Sequence, residues 1–200
     1  DVINLHWVAD FVDYSNFFGR IGNKPVVWTM HDMLPFASGY HYETERPSVN
    51  LRAERRIAKA KNVAIKEANL SIVAPSSWLL GVSEKNKTFA GLLHRHIFNG
   101  LPLDTYRPLE KSIARRILGL PEDKRVLLFT AAGVNAKRKG GHLLLEAIRR
   151  LNNKNLVFVS VGGGSMDVGT QLEHRHLGAF ADEISMSLCY NSADVVVQPS

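Results

Sequence analysis

Cysteine is nearly absent from this chain of 200 residues; Cys189 stands alone. No intrachain disulfide can form, and a reducing compartment is the expected setting. Long apolar runs are missing as well. No stretch approaches the roughly 20 apolar residues a helix needs to cross a bilayer, and no signal-peptide pattern is visible. Neither paired cysteines nor H-E-x-x-H occurs, and His94, His96, His174 and His176 stand too isolated to claim a metal, so the expected metal set is none. The G-x-x-x-x-G-K-[ST] phosphate loop and the G-x-S-x-G elbow are also absent. A Walker-type ATPase and an ordinary α/β hydrolase therefore lose weight.

The residues that are present make a globular chain with an excess of base. Its formal charge is +6, which suits nucleic acid, an anionic membrane surface or phosphorylated small molecules and selects none of them. The chain opens on DVINLHW and stops at DVVVQPS, beside strand-like runs, so a piece of a longer protein is expected.

Patterning predicts strands over residues 2–7, 25–30 and 70–76. PVVWTM, the second, is apolar almost throughout, as for a parallel strand covered on both faces. Residues 31–50, HDMLPFASGYHYETERPSVN, read as a long functional loop or a partly disordered one. Over 51–69, Ala53, Ile57, Ala60 and Ala64 recur at helical spacing with bases between them. A solvated helix face is the default reading of those bases, and RNA the rival one. SSWLLGVSEK adds a Ser-capped helix.

IFNGLPLDTYRP, residues 97–108, changes the texture, with Asn-Gly favouring a tight turn and two prolines restricting what precedes them. The expected division is a first domain over 1–98, a junction over 99–108 and a second domain over 109–200. In the second, helices are predicted at 111–118, 141–151 and 182–192, and strands at 125–130, 156–161, 176–180 and 194–198. Strand and helix alternating at this length argue for a parallel, doubly wound sheet.

Three segments after predicted strands could carry chemistry. AAGVNAKRKGGHLLLEAI joins a strand to a helix through Lys137, Arg138, Lys139, Gly140 and Gly141. A helix N-terminus offers free N–H groups and partial positive charge, glycine admits close approach, and a base adds ionic hydrogen bonds, so such places bind anions. VGGGSMD places Gly162, Gly163 and Gly164 at the ligand edge of a parallel sheet, without completing a dinucleotide fingerprint. MHDMLPF sets His31 and Asp32 just past a strand, and His6 ends the first one. Histidine there can donate a hydrogen bond or move a proton near neutral pH.

In this order and spacing, DVINLHW, KPVVWTMHDMLPFASGYHY, IVAPSSWLL, IFNGLPLDTYRP, RKGGHLLLEAI, VGGG and LCYNSADVVVQPS resemble the GT-B glycosyltransferases, specifically the retaining group called family 4, of the bacterial polysaccharide type. The likeness touches nearly the whole chain except 43–70. It implies an α/β fold with two Rossmann-like parallel-sheet domains, both incomplete in this chain, the first on the acceptor side and the second binding the nucleotide-sugar.

It further implies a UDP- or GDP-sugar as substrate and no tightly bound cofactor. The acceptor would be a glycan or lipid-linked molecule in surface polysaccharide or lipopolysaccharide synthesis. The implied setting is cytoplasmic, with peripheral contact to the inner membrane surface and no nucleic-acid partner. Lys139 would contact the donor diphosphate with Arg138 and Gly140 beside it, Gly162–Gly164 would pass the nucleoside, and His31 would lie at the reaction centre. His6 and Asp32 would face the acceptor. Two departures stand out. The Gly-Arg of relatives falls near Ala132 and Gly133, and Phe98 replaces the junction proline. The family's Glu-x7-Glu segment and N-terminal glycine loop are not in this sequence. The rival readings are a non-catalytic nucleotide- or RNA-binding module and another GT-B enzyme, such as a sugar phosphorylase or an epimerase.

Overall fold

Two parallel sheets organise the chain, one in each of two units, Asp1–Gly100 and Leu101–Ser200. The computed structural model describes residues 1–9, 11–45, 51–169 and 172–200, without the side chains of 45 and 51.

The first unit runs β1 (Ile3–Leu5), α1 (Tyr14–Ile21), β2 (Val26–Thr29), α2 (Leu51–Ile65), β3 (Leu70–Ala74), α3 (Ser77–Lys85) and β4 (Leu93–His96). Its strands are all parallel and lie in chain order, β1-β2-β3-β4. Two helices start at side-chain caps: Asp13 Oδ1 accepts from the Asn16 N–H at 2.7 Å, and Ser76 Oγ from the Leu79 N–H at 3.2 Å. The core is aromatic. Trp28 is fully buried, with the rings of Tyr14, Phe18 and Phe89 at 5.3, 6.2 and 6.2 Å.

Several expectations change here. Val26 and Trp28 are buried, but Val27 and Thr29 only half-buried, so β2 is fully covered on one face rather than two. Strands that always advance in one direction use right-handed crossovers that put the connecting helices on one side. Helix α1 and strand β4 are additional elements. The side chains of β4, LHRH, are mostly exposed, and backbone pairing with β3 makes it a strand. Helix α2 ends at Ile65, short of 69. The segment 31–45 is packed, with Met33, Phe36 and Ala37 buried and the Met33 N–H donating to the His41 carbonyl at 3.0 Å. The rest of that predicted loop, 46–50, lies outside the described residues.

The second unit runs α4 (Lys111–Ile117), β5 (Arg125–Gly133), α5 (Gly141–Leu151), β6 (Leu156–Gly163), β7 (Glu173–His176), α6 (Glu183–Ser192) and β8 (Val195–Val196). The strand order is β7-β6-β5-β8, again all parallel. Two apolar clusters cover the sheet: one gathers Leu128, Val159 and Cys189, the other Phe129, Phe158, Leu144 and Ile148. Strand β6 is accordingly buried along almost its whole length. The edge strand sits at 173–176, not 176–180. Its polar residues hid it: His174 Nε2 and His176 Nδ1 both meet the buried Ser160 hydroxyl, at 2.8 and 2.9 Å. Residues 177 and 178 instead close the turn beyond it, the Leu177 N–H bonding the Ser160 carbonyl and the Gly162 N–H the Gly178 carbonyl.

Asp194 ties three elements of this unit together. Its carboxylate accepts from Lys111 Nζ (2.7 Å), from the Val126 N–H (2.7 Å) and from the buried Arg115 guanidinium (2.6 Å). Arg115 also donates to the carbonyls of Ser192, Glu122 and Lys124. Burial raises the Asp194 pKa, but the bonds from Lys111, Val126 and Arg115 outweigh it and hold the carboxyl well below the usual range. This stabilisation is complete above the unfolded value of about 3.9 and is lost as pH falls below it. Asp194→Ala strands Arg115 without its carboxylate and should cost roughly 3–5 kcal/mol. Urea unfolding of the variant measures this; a loss under about 1 kcal/mol, typical of an exposed pair, would refute the anchoring role.

Candidate active site

In each unit the candidate groups gather at the carboxyl ends of the parallel strands, where open α/β sheets take their ligands.

In the first unit, His6 follows β1 and His31 follows β2. His6 Nδ1 and His31 Nε2 are 3.0 Å apart, and the rings stack with centroids 5.3 Å apart and planes at 26°. The His6 carbonyl accepts from the Trp28 indole at 3.0 Å, which fixes the backbone there to the core. Asp32 points elsewhere. It is buried, accepts from the Leu34 N–H at 2.9 Å and meets His41 Nδ1 at 2.6 Å. His41 in turn stacks on the exposed Trp7. His6 and His31 thus come together, whereas Asp32 braces the loop that carries His41.

Lys61, on α2, belongs to the same edge. Its ammonium donates to the carbonyls of Leu34 and Ala37 and lies 5.4 Å from the centre of the Tyr14 ring. Burial lowers its pKa from 10.5 to about 8, against the opposing pull of Asp32. Burial, with the Asp32 charge second, pushes the Tyr14 hydroxyl up to about 12. Sequence reasoning missed Lys61, His41 and Trp7. The second histidine of HDMLPFASGYH was the available signal; nothing in the helix pattern of α2 set Lys61 apart from its solvated neighbours.

In the second unit β5 has neighbours on both sides, and the chain's progress across the sheet reverses between β5 and β8. The basic turn lies just past that reversal. Lys137–Lys139 form one turn of 3-10 helix, Gly140 adopts a left-handed φ of 70°, and α5 begins at Gly141. No side chain caps α5, and among the described residues the N–H groups of Gly141 and His142 have no backbone acceptor. Lys137 and Arg138 are exposed. Lys139 is half-buried and has no carboxylate partner among the described residues.

The glycines answer first to the protein's own packing. A Cβ on Gly140 would lie 2.7 Å from Pro199, and one on Gly141 2.8 Å from Met166. A Cβ on Gly162, at φ 138°, would fall 1.6 Å from the Ala131 carbonyl oxygen. Gly163 and Gly164 likewise abut Ala132 and Asn135, so VGGG presses against the segment leading into the basic turn. Beside Gly162 a small cavity opens, lined also by Ala131, Ala179, Phe180 and Met186. Among the described residues no group of three or more His, Cys, Asp and Glu side chains could hold a metal ion.

The chain is 30% identical over 213 aligned positions to a D-inositol 3-phosphate glycosyltransferase from a Nocardioides species, taking in 98% of this chain and 42% of the relative. It is 31% identical over 99 positions to a glycogen synthase from Glaesserella parasuis, 45% of this chain and 20% of the relative. The crystal structure of a glycosyltransferase from Rickettsia africae matches the whole chain with a TM-score of 0.67 at 16% identity. In sequence the chain is thus similar to glycosyltransferases. Its α/β fold, with two Rossmann-like parallel-sheet units, is the GT-B one. It spans about half the length of these relatives or less, 42% and 51% for the two that cover nearly all of it. No family model matches it.

Lys61 gives this site a pH signature. Between about 8, its value in the fold, and 10.5 the unfolded chain holds a proton that the folded chain has shed, so stability rises with pH across that window. Denaturant unfolding at pH 8 and at pH 10.5 should show this rise in the wild type and its loss in Lys61→Met. An equal rise in both proteins would place the effect elsewhere.

Proposed function

We propose that the whole protein transfers a sugar, with retention of anomeric configuration, from a UDP- or GDP-sugar to a glycan or lipid-linked acceptor in surface polysaccharide or lipopolysaccharide synthesis. The D-inositol 3-phosphate glycosyltransferase and glycogen synthase relatives support the reaction class. The observation that carries it is the uncapped N-terminus of α5 beside the half-buried Lys139, at the strand-order reversal of the second unit.

The chemistry follows from charge. As the bond between the anomeric carbon and the donor phosphate oxygen breaks, negative charge grows on the departing nucleoside diphosphate. Lys139, with Arg138 and the Gly141 and His142 N–H groups, stabilises that charge most as it develops. Gly140 keeps the backbone free of a side chain at this point. The cavity beside Gly162 receives the nucleoside, which Gly163 and Gly164 pass on the way out of β6. The acceptor hydroxyl attacks from the face the diphosphate leaves, and its proton passes to the departing phosphate oxygen. His31 orients a sugar oxygen, and His6 and Asp32 shape the acceptor side. No tightly bound cofactor enters this scheme. The positive charge of the chain suits peripheral contact with the inner membrane surface on the cytoplasmic side.

The RNA-binding alternative has less support. Lys61, on the basic helix α2, is turned inward to loop carbonyls rather than held out to a phosphate backbone.

Lys139→Ala should lower the transfer rate roughly 10²–10³-fold with the fold intact by circular dichroism. Steady-state kinetics with a UDP- or GDP-sugar measures it, and wild-type turnover in the variant would remove Lys139 from the phosphate site.

A further inference from the structure

Asn4, on strand β1, and His6, just past its end, lie two residues apart and flank the buried Leu5. Asn4 Nδ2 lies 3.2 Å from His6 Nε2. An amide nitrogen only donates, so His6 Nε2 accepts and carries no proton. Neutral His6 then holds its proton on Nδ1, the atom 3.0 Å from His31 Nε2. His31 Nε2 accepts in its turn, and the His31 proton sits on Nδ1. The tautomer of each ring is thus set by the bond its other nitrogen makes.

We propose that Asn4 is a positioning residue that fixes the proton order of an Asn4–His6–His31 chain, so that His31 meets the sugar as an Nδ1–H donor. This rests on the reading of His31 as a reaction-centre residue. Among the described residues nothing pairs with His31 Nδ1, which leaves that N–H for a ligand. A donor at this place can hold a sugar oxygen, and through Nδ1 it cannot take up the acceptor's proton. The Asn4–His6–His31 order therefore assigns His31 to orientation and excludes it as the base. Asp32 and His41 form a separate pair, 2.6 Å apart, and do not enter the chain.

The amide is the switch. In Asn4→Asp the carboxylate only accepts, so His6 must donate from Nε2. Its bare Nδ1 then accepts from His31 Nε2–H, and both tautomers reverse. Asn4 is exposed, so the substitution leaves the core untouched.

The test is long-range proton–nitrogen correlation on protein labelled with ¹⁵N-histidine. It is run at pH ~8.5, about two units above the ordinary histidine value of about 6.5, with His6→Gln and His31→Gln to assign the rings. The expected result is Nδ1–H on both rings in the wild type, Nε2–H on both in Asn4→Asp, and mixed tautomers in Asn4→Ala. Mixed tautomers in the wild type, or the wild-type pattern persisting in either Asn4 variant, would overturn the proposal. In transfer assays Asn4→Asp should lose roughly tenfold or more in kcat, with unchanged calorimetric affinity for UDP or GDP. Reversed tautomers with unchanged kcat would uphold the proton order and remove His31 from the reaction centre.

Discussion

Pro199 sits against Gly140 so closely that a single added carbon would lie 2.7 Å away. This contact joins the segment after β8 to the turn after β5, where strand order reverses. It admits only glycine, and glycine also tolerates the φ of 70° that ends the 3-10 turn and starts α5. The direction of α5, its uncapped N–H groups and the placement of Lys139 all follow. Gly162 plays the matching part on the other side of β5, where the Ala131 carbonyl leaves no room for a side chain. The backbone at this edge is therefore set by packing, and the anion site proposed for it would be a consequence of that packing.

The first unit solves a different problem. Its edge carries histidines instead of open N–H groups, and each is held by another polar group: His31 by His6, His41 by Asp32. The loop that brings them there is anchored by Lys61, whose ammonium is spent on two carbonyls. In the proposed reading, imidazoles held in this way would orient a substrate at little reorganisation cost, whereas free ones would have to be ordered on binding.

Much of this was legible in the sequence because periodicity reports burial. VLLFT and LVFVSV could hardly be anything but covered strands, and RKGGHLLLEAI showed both the turn and the helix after it. Two edge strands escaped for the same reason, β4 altogether and β7 in its placement. LHRH and EHRH bury little, so their strand character lies in backbone pairing that no side-chain pattern records. His6 and His31 were visible one at a time, but their contact depends on β1 and β2 being neighbours in parallel register. Lys61 looked like any base on a solvated helix; the carbonyls of Leu34 and Ala37, on a loop well before it in the chain, give it a different role. The glycines were read as openings for a ligand, and the structure adds the prior demand of Pro199, Met166 and Ala131.

The most direct test of the account is amide chemical-shift mapping of a UDP and GDP titration on the folded protein. The account predicts saturable shifts centred on Lys139, Gly141 and His142, extending to Gly162, for at least one of the two nucleotides. Saturable binding whose shifts fall on the basic face of α2, or no binding of either nucleotide, would contradict it.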